Sequence, residues 1–81
     1  MDPERLEYEG RLTTSELRAK ELRLRLEHLR EVIRQTYRRF VPVQEIEAED
    51  GAALAMEFAS TQIRYKEVLA EIAALKKALG K

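Results

Sequence analysis

The chain has 81 residues, with 15 Lys and Arg set against 15 Asp and Glu, so no net field draws it to nucleic acid or to an anionic surface. Charged residues at 37% and aromatics at 6% favour long solvated helices over a rounded globule, and apolar residues at 44% are too many for disorder. The absence of cysteine removes disulfides and thiolate metal sites, and the longest apolar run, Ala52 to Met56, falls far short of the ~20 residues of a membrane span.

Glycine occurs only at 10, 51 and 80 and proline only at 3 and 42, which leaves one domain over 1–81 with two long uninterrupted segments. Residues 1–12 form an acidic lead. It has no apolar stretch of the kind a secretory signal requires, so a cytoplasmic protein without membrane association is expected. Two helix starts compete here. Thr13-Thr14-Ser15-Glu16 reads as a capping box, whereas Asp2-Pro3 would start the helix earlier and carry it through Gly10. The first helix is expected over 13–40, because Pro42 disfavours helical geometry at Val41. A connection over 41–50 follows, apolar at Val41, Val43 and Ile46, which are expected to fold back over Phe40 and Leu54. Its acidic end carries Glu45, Glu47, Glu49 and Asp50. The second helix is expected over 51–79, with Asp50 as N-cap and Gly80 as the residue that closes it.

Periodicity pairs the two helices. In the first, Leu12, Ser15, Ala19, Leu22, Leu26, Leu29, Ile33, Thr36 and Phe40 alternate by three and four. Leu54, Phe58, Thr61, Tyr65, Val68, Ile72, Leu75 and Leu79 do the same in the second. Both are heptad seams of the coiled-coil kind, and the fold class expected is all-α, an antiparallel two-helix hairpin. Facing Phe40 with Leu54 fixes the remaining layers, including Leu26 with Val68, Leu22 with Ile72, Ala19 with Leu75 and Ser15 with Leu79. This register sets Arg25 against Glu71, Arg39 against Glu57 and Glu16 against Lys76, with no like-charge pair. A shift of one heptad either way brings Arg25 or Arg39 against Arg64. Exposed pairs contribute only about 0.2–1 kcal/mol, enough to choose between registers of equal apolar burial.

A single seam per helix rarely stabilises a domain of this size. One flank, with Arg18, Arg25 and Arg39, reads as solvated. The other gathers Leu17, Leu24 and Tyr37 with Ala55, Met56, Ile63, Leu69 and Ala70, and its six large side chains are the candidate interface. Scattered surface hydrophobics are the plainer reading of the same residues. The sharper one is a contact that completes a four-helix bundle, with a C2 homodimer or another helical protein as partner.

Candidate chemistry is sparse. His28, the one histidine, lies three residues from Glu31, but two ligands do not make a metal site, and no metal or cofactor is expected. Residues 11–40 carry nine basic and four acidic side chains, and residues 41–57 carry five acidic and no basic ones. Arg18, Arg25 and Arg39 are therefore the candidates for phosphate contact. Interleaved Glu16, Glu21, Glu27 and Glu31 read instead as ordinary flanking charge, and no aromatic platform for bases accompanies them. Ser15 and Ser60 have no neighbouring base, and there is no Gly-rich phosphate loop. The expectation is a non-enzymatic, oligomerising protein–protein interaction module of adaptor, assembly-factor or cochaperone type. The alternative is a nucleic-acid-associated protein using the arginines.

Overall fold

The computed structural model describes residues 2–81 and is all-helical: α1 spans Pro3–Thr36 and α2 spans Ala48–Ala78. A short 3-10 turn, Val43–Glu45, lies in the connection. The helices pack against each other as a hairpin measuring 64 × 16 × 15 Å.

The earlier of the two starts is the one used. Asp2 is the N-cap and accepts a hydrogen bond from the Glu4 N–H at 3.0 Å, with Pro3 in the first turn, where its missing N–H costs nothing. The capping-box residues lie inside the helix instead, and Thr13 and Thr14 donate to the carbonyls of Glu9 and Gly10, each at 3.1 Å. At the other end α1 stops at Thr36, short of the expected Phe40. Tyr37 leaves helical geometry (φ −107°, ψ 39°), so Pro42 bounds the helix without ending it. The second helix begins at Ala48, three residues early, with Glu47 as an N-cap whose side chain makes no capping bond, so Asp50 does not cap it. Gly80 closes α2 as expected. At φ +74° it donates to the Lys77 carbonyl at 3.1 Å while Lys81 donates to Lys76 at 2.8 Å, the paired bonds of a Schellman end.

Leu12, Ser15, Ala19, Leu22, Leu26 and Leu29 of α1 are all buried, so the expected stripe is the one that faces α2. From α2, Thr61, Leu75 and, just past its end, Leu79 are buried, while Leu54, Phe58, Tyr65, Val68 and Ile72 are only half-buried. Phe40 is excluded from the seam altogether: it is 91% exposed, and Val43 is 84% exposed, so neither caps the bundle.

The register differs from the expected one by about a heptad, ~10 Å along the axis. Leu12, rather than Ala19 and Ser15, clusters with Leu75 and Leu79, with Tyr8 and Ile72 packed on them. Leu26 lines a groove with Phe58 and Tyr65, and Val68 lines another with Ser15 and Arg18, so the expected Leu26–Val68 layer does not form. Arg25 pairs with Glu57, and Glu71 pairs with Arg11 at 3.3 Å. The physical reason is the longer N-terminal part of α1. Starting at Pro3, it offers Tyr8 and Leu12 as further apolar cover, and sliding α2 toward them buries both leucines at its C-terminal end.

Two helical glycines make a testable contrast. A Cβ on Gly10 would meet nothing within 4 Å, whereas one on Gly51 would stand 2.7 Å from Tyr37 Cε2 and 2.8 Å from its Cζ. Gly10→Ala is therefore expected to stabilise the protein by about 0.8–1 kcal/mol, the helix-propensity difference. Gly51→Ala gives no such gain, because the Tyr37 ring must leave its place. Thermal melts of both, with Gly51→Ala repeated in a Tyr37→Ala chain, check this: the gain should return once the ring is removed.

Candidate interaction surface

Three surfaces surround the seam, and they differ in chemistry. On one flank, ion pairs span the two helices: Arg11 with Glu71 and Arg25 with Glu57. Arg18 turns to Glu21 on its own helix at 3.6 Å. The side chains of the two interhelical pairs are about half exposed, so these pairs orient the helices more than they stabilise them. Near the termini this flank opens into a groove lined by Leu6, Gly10, Ser15 and Val68, with Arg11 and Glu71 at its rim.

The opposite flank has no interhelical ion pair among the described residues. Two grooves sharing Arg23 and Tyr65 follow one another along it. Ala19 and Leu26 of α1 and Phe58, Tyr65, Leu69 and Ile72 of α2 line them. Lys20, Arg23, Arg30 and Lys76 edge this channel, together with Glu16 and Glu27.

The third surface is the outer face of α2. At ~100° per residue, Ala48, Ala52, Ala55, Met56, Ala59, Ile63, Leu69, Ala70 and Ala73 fall within one arc of ~140° that adjoins the seam. All of them are exposed, Met56 at 75%, Ile63 at 59% and Leu69 at 42%. Only Gln62, Lys66 and Lys77 interrupt the arc. Thus α2 is apolar over two contiguous faces, and α1 covers one of them.

The six residues of the candidate interface are all exposed, but they do not form one patch. Met56, Ile63 and Leu69 share the outer face of α2. Leu17 and Leu24 lie on the back of α1, roughly opposite its buried stripe. They stand apart there among Thr13, Lys20, Glu21 and His28, as single surface leucines commonly do. Tyr37 sits at the turn with its ring over buried Gly51. The exposed alanines 52, 59 and 73, outside the expected flank, extend the α2 face by the same helical period.

Arg18 and Arg25 lie one heptad apart on α1, each facing a carboxylate, whereas Arg39 lies beyond the helix, with its guanidinium 5.6 Å from the centre of the Phe40 ring. The three do not converge. His28 is exposed on α1, and among the described residues no group of three or more His, Asp or Glu side chains is placed to hold a metal ion. No helix among them is long and apolar enough to cross a membrane. The perturbed groups lie outside all three surfaces. Tyr8 donates to Glu4 at 2.9 Å, and this bond, with the Glu4 charge, raises the phenol pKa above its ordinary value. Hydrogen bonds from Gln35 and Arg34 hold the Glu31 carboxyl below its own. The hydrogen bonds in both cases are local ones on exposed helix surface.

No protein-family model matches the chain, and neither the curated proteins nor the solved structures contain a significant match to it. The chemistry of these surfaces therefore carries the functional reading by itself.

Proposed function

We propose that the protein is a small interaction module that oligomerises through its second helix, with a homodimer completing a four-helix bundle. One observation carries the reading: α2 is apolar on two faces and α1 covers only one. The half-burial of Phe58, Tyr65, Val68 and Ile72 leaves the seam itself only partly enclosed by one hairpin. Among the described residues, Leu29 is the one large side chain less than 2% exposed. On this reading the protein is not an enzyme and acts by contact, as adaptors, assembly factors and cochaperones do. Acid–base or nucleophilic catalysis needs several convergent polar groups in a water-excluding pocket, and the grooves here are open to water, with several charged side chains along their edges.

Use of Arg18, Arg25 and Arg39 on nucleic acid draws less support, because two of the three already face carboxylates and the third stands apart. Molar mass measured in solution across a concentration range tests the reading. A species of twice the 9.4 kDa chain mass is expected to appear as concentration rises. A mass that stays at 9.4 kDa throughout would overturn self-association.

A further inference from the structure

We infer that the second copy binds the outer face of α2 with its own α2, antiparallel, about a twofold axis passing close to Gln62 and Ile63. The inference rests on the homodimer reading above and specifies its contact. Along the outer face Ala48, Ala52, Ala55, Ala59, Gln62, Lys66, Leu69, Ala73 and Lys76 again alternate by four and three, a second heptad stripe parallel to the seam. Most of its positions are alanine, which allows two helix axes to approach to the close end of the ~8–10 Å range.

The stripe is self-complementary when reversed. With the axis at Gln62–Ile63, Ala52 meets Ala73 of the second copy, Ala55 meets Ala70, and Met56 meets Leu69. Lys66 lies over Ala59, its stem on the methyl group and its ammonium free to reach water. Gln62 sits at the axis, where the two side-chain amides can bond each other.

The end charges select the direction. The start of α2 carries Glu45, Glu47, Glu49 and Asp50 with no cation among residues 44–50. Its finish carries Lys76, Lys77 and Lys81 with no carboxylate side chain among residues 72–81. None of these seven is engaged in an ion pair within the hairpin among the described residues. The helix dipole accounts for the sign at each end, so these charges do not by themselves mark a partner. What they decide is orientation: two α2 helices laid antiparallel bring acidic ends beside basic ends, and laid parallel they bring like beside like. Lys77 lies within the outer arc and Glu49 close beside it, whereas Glu45, Glu47 and Lys76 border grooves shared with α1 and reach a docked helix from its edge.

The test is a charge swap. Glu47→Lys/Glu49→Lys gives a chain basic at both ends of α2, and Lys76→Glu/Lys77→Glu gives one acidic at both ends. The Glu47 side chain caps nothing, so its replacement removes no capping bond. Each variant alone is expected to self-associate about tenfold or more weakly than the parent. An equimolar mixture should recover dimer as the heterodimer, a gain that a general loss of helix stability would not produce. The chain has no cysteine, so Gln62→Cys offers a second readout. Mild oxidation should link it to its own copy across the axis, and Leu17→Cys, on the back of α1, should remain unlinked. A parent that stays monomeric overturns the homodimer reading and this inference together. A dimeric parent whose swapped chains give no heterodimer, or whose Gln62→Cys does not link while Leu17→Cys does, overturns the antiparallel α2 contact alone.

Discussion

A chain carrying both Ile63→Glu and Leu69→Glu is expected to run at the mass of one chain at concentrations where the parent runs as two. In the isolated hairpin both side chains are exposed, at 59% and 42%, so the substitutions remove no core contact. Lys66 stands three residues from each position, and any pair it forms with the new carboxylates is a surface pair of small value. In the dimer the same positions face apolar surface. Moving an ionised carboxylate there without a partner costs more than a methylene lost, even when water follows it in. Twofold symmetry counts every substitution twice. At only about 1 kcal/mol for each of the four sites, dissociation is favoured by roughly a thousandfold. Helicity and the melting curve of the monomer should stay close to those of the dissociated parent. Leu17→Glu with Leu24→Glu is the matched control, because those residues point away from α2, and the parent mass should be retained. Reversal of the two outcomes, with the control pair dissociating the dimer, would move the interface to the back of α1. Retention of mass by both pairs would leave the exposed residues as plain surface.

The seam was legible in the sequence because its period is long and clean: every α1 residue expected in it from Leu12 to Leu29 is buried. The register was not, and the reason is general. A heptad pattern is nearly unchanged by a shift of seven residues, so apolar matching cannot tell neighbouring registers apart. The charge criterion failed because it assumed pairs directly across the seam. Arg25 does not stop opposite Arg64. Its side chain slants along the groove to Glu57, as Arg11 does to Glu71, and the register that looked repulsive is the paired one. What set the alignment was where the helices start and stop, and those positions were ambiguous locally. Asp2-Pro3 and Thr13–Glu16 are both sound start signals, and nothing near Thr36 marks a stop as Pro42 does.

The leftover surface was legible in part for a related reason. A residue seven from another shares its face, so Leu17 and Leu24 belong together, as do Met56 and Ile63. Each pair, however, lies on the far side of its own helix from the seam. In a hairpin the far sides of the two helices point in opposite directions, and no shift of register unites them. The useful asymmetry is one of width: the apolar arc of α2 is continuous from seam to outer face, whereas the leucines of α1 are islands in charge. Alanine supplies most of that continuity: each one adds little apolar area, which leaves the signal weak in the sequence, but lets a second helix approach closely.

Leu29→Ala is expected to destabilise the hairpin by about 2–5 kcal/mol, the largest effect among leucine-to-alanine substitutions at the described residues. Leu29 is 1% exposed, in a protein whose other buried leucines retain 4–8% and whose α2 partners are mostly half-buried. A chain of this length has a total stability of roughly 4–12 kcal/mol. A two-helix seam with few enclosed layers lies toward the lower end, so the loss is a large share of the whole. Truncation removes three heavy atoms at the one place where atoms surround the side chain on all sides. The slender rods have no second layer to relax into the gap. At ~4–8 °C per kcal/mol for a domain this small, the melting temperature should fall by 10 °C or more. Dimer formation adds a concentration-dependent term to the same quantity, so parent and variant are compared at equal chain concentration. Leu17→Ala and Leu24→Ala, outside the seam, should change stability by no more than about 0.5 kcal/mol. Circular dichroism melts and urea titrations of the three variants decide the matter. A loss at Leu29 no larger than that at Leu17 would mean that the buried stripe of α1 is not what holds the hairpin together.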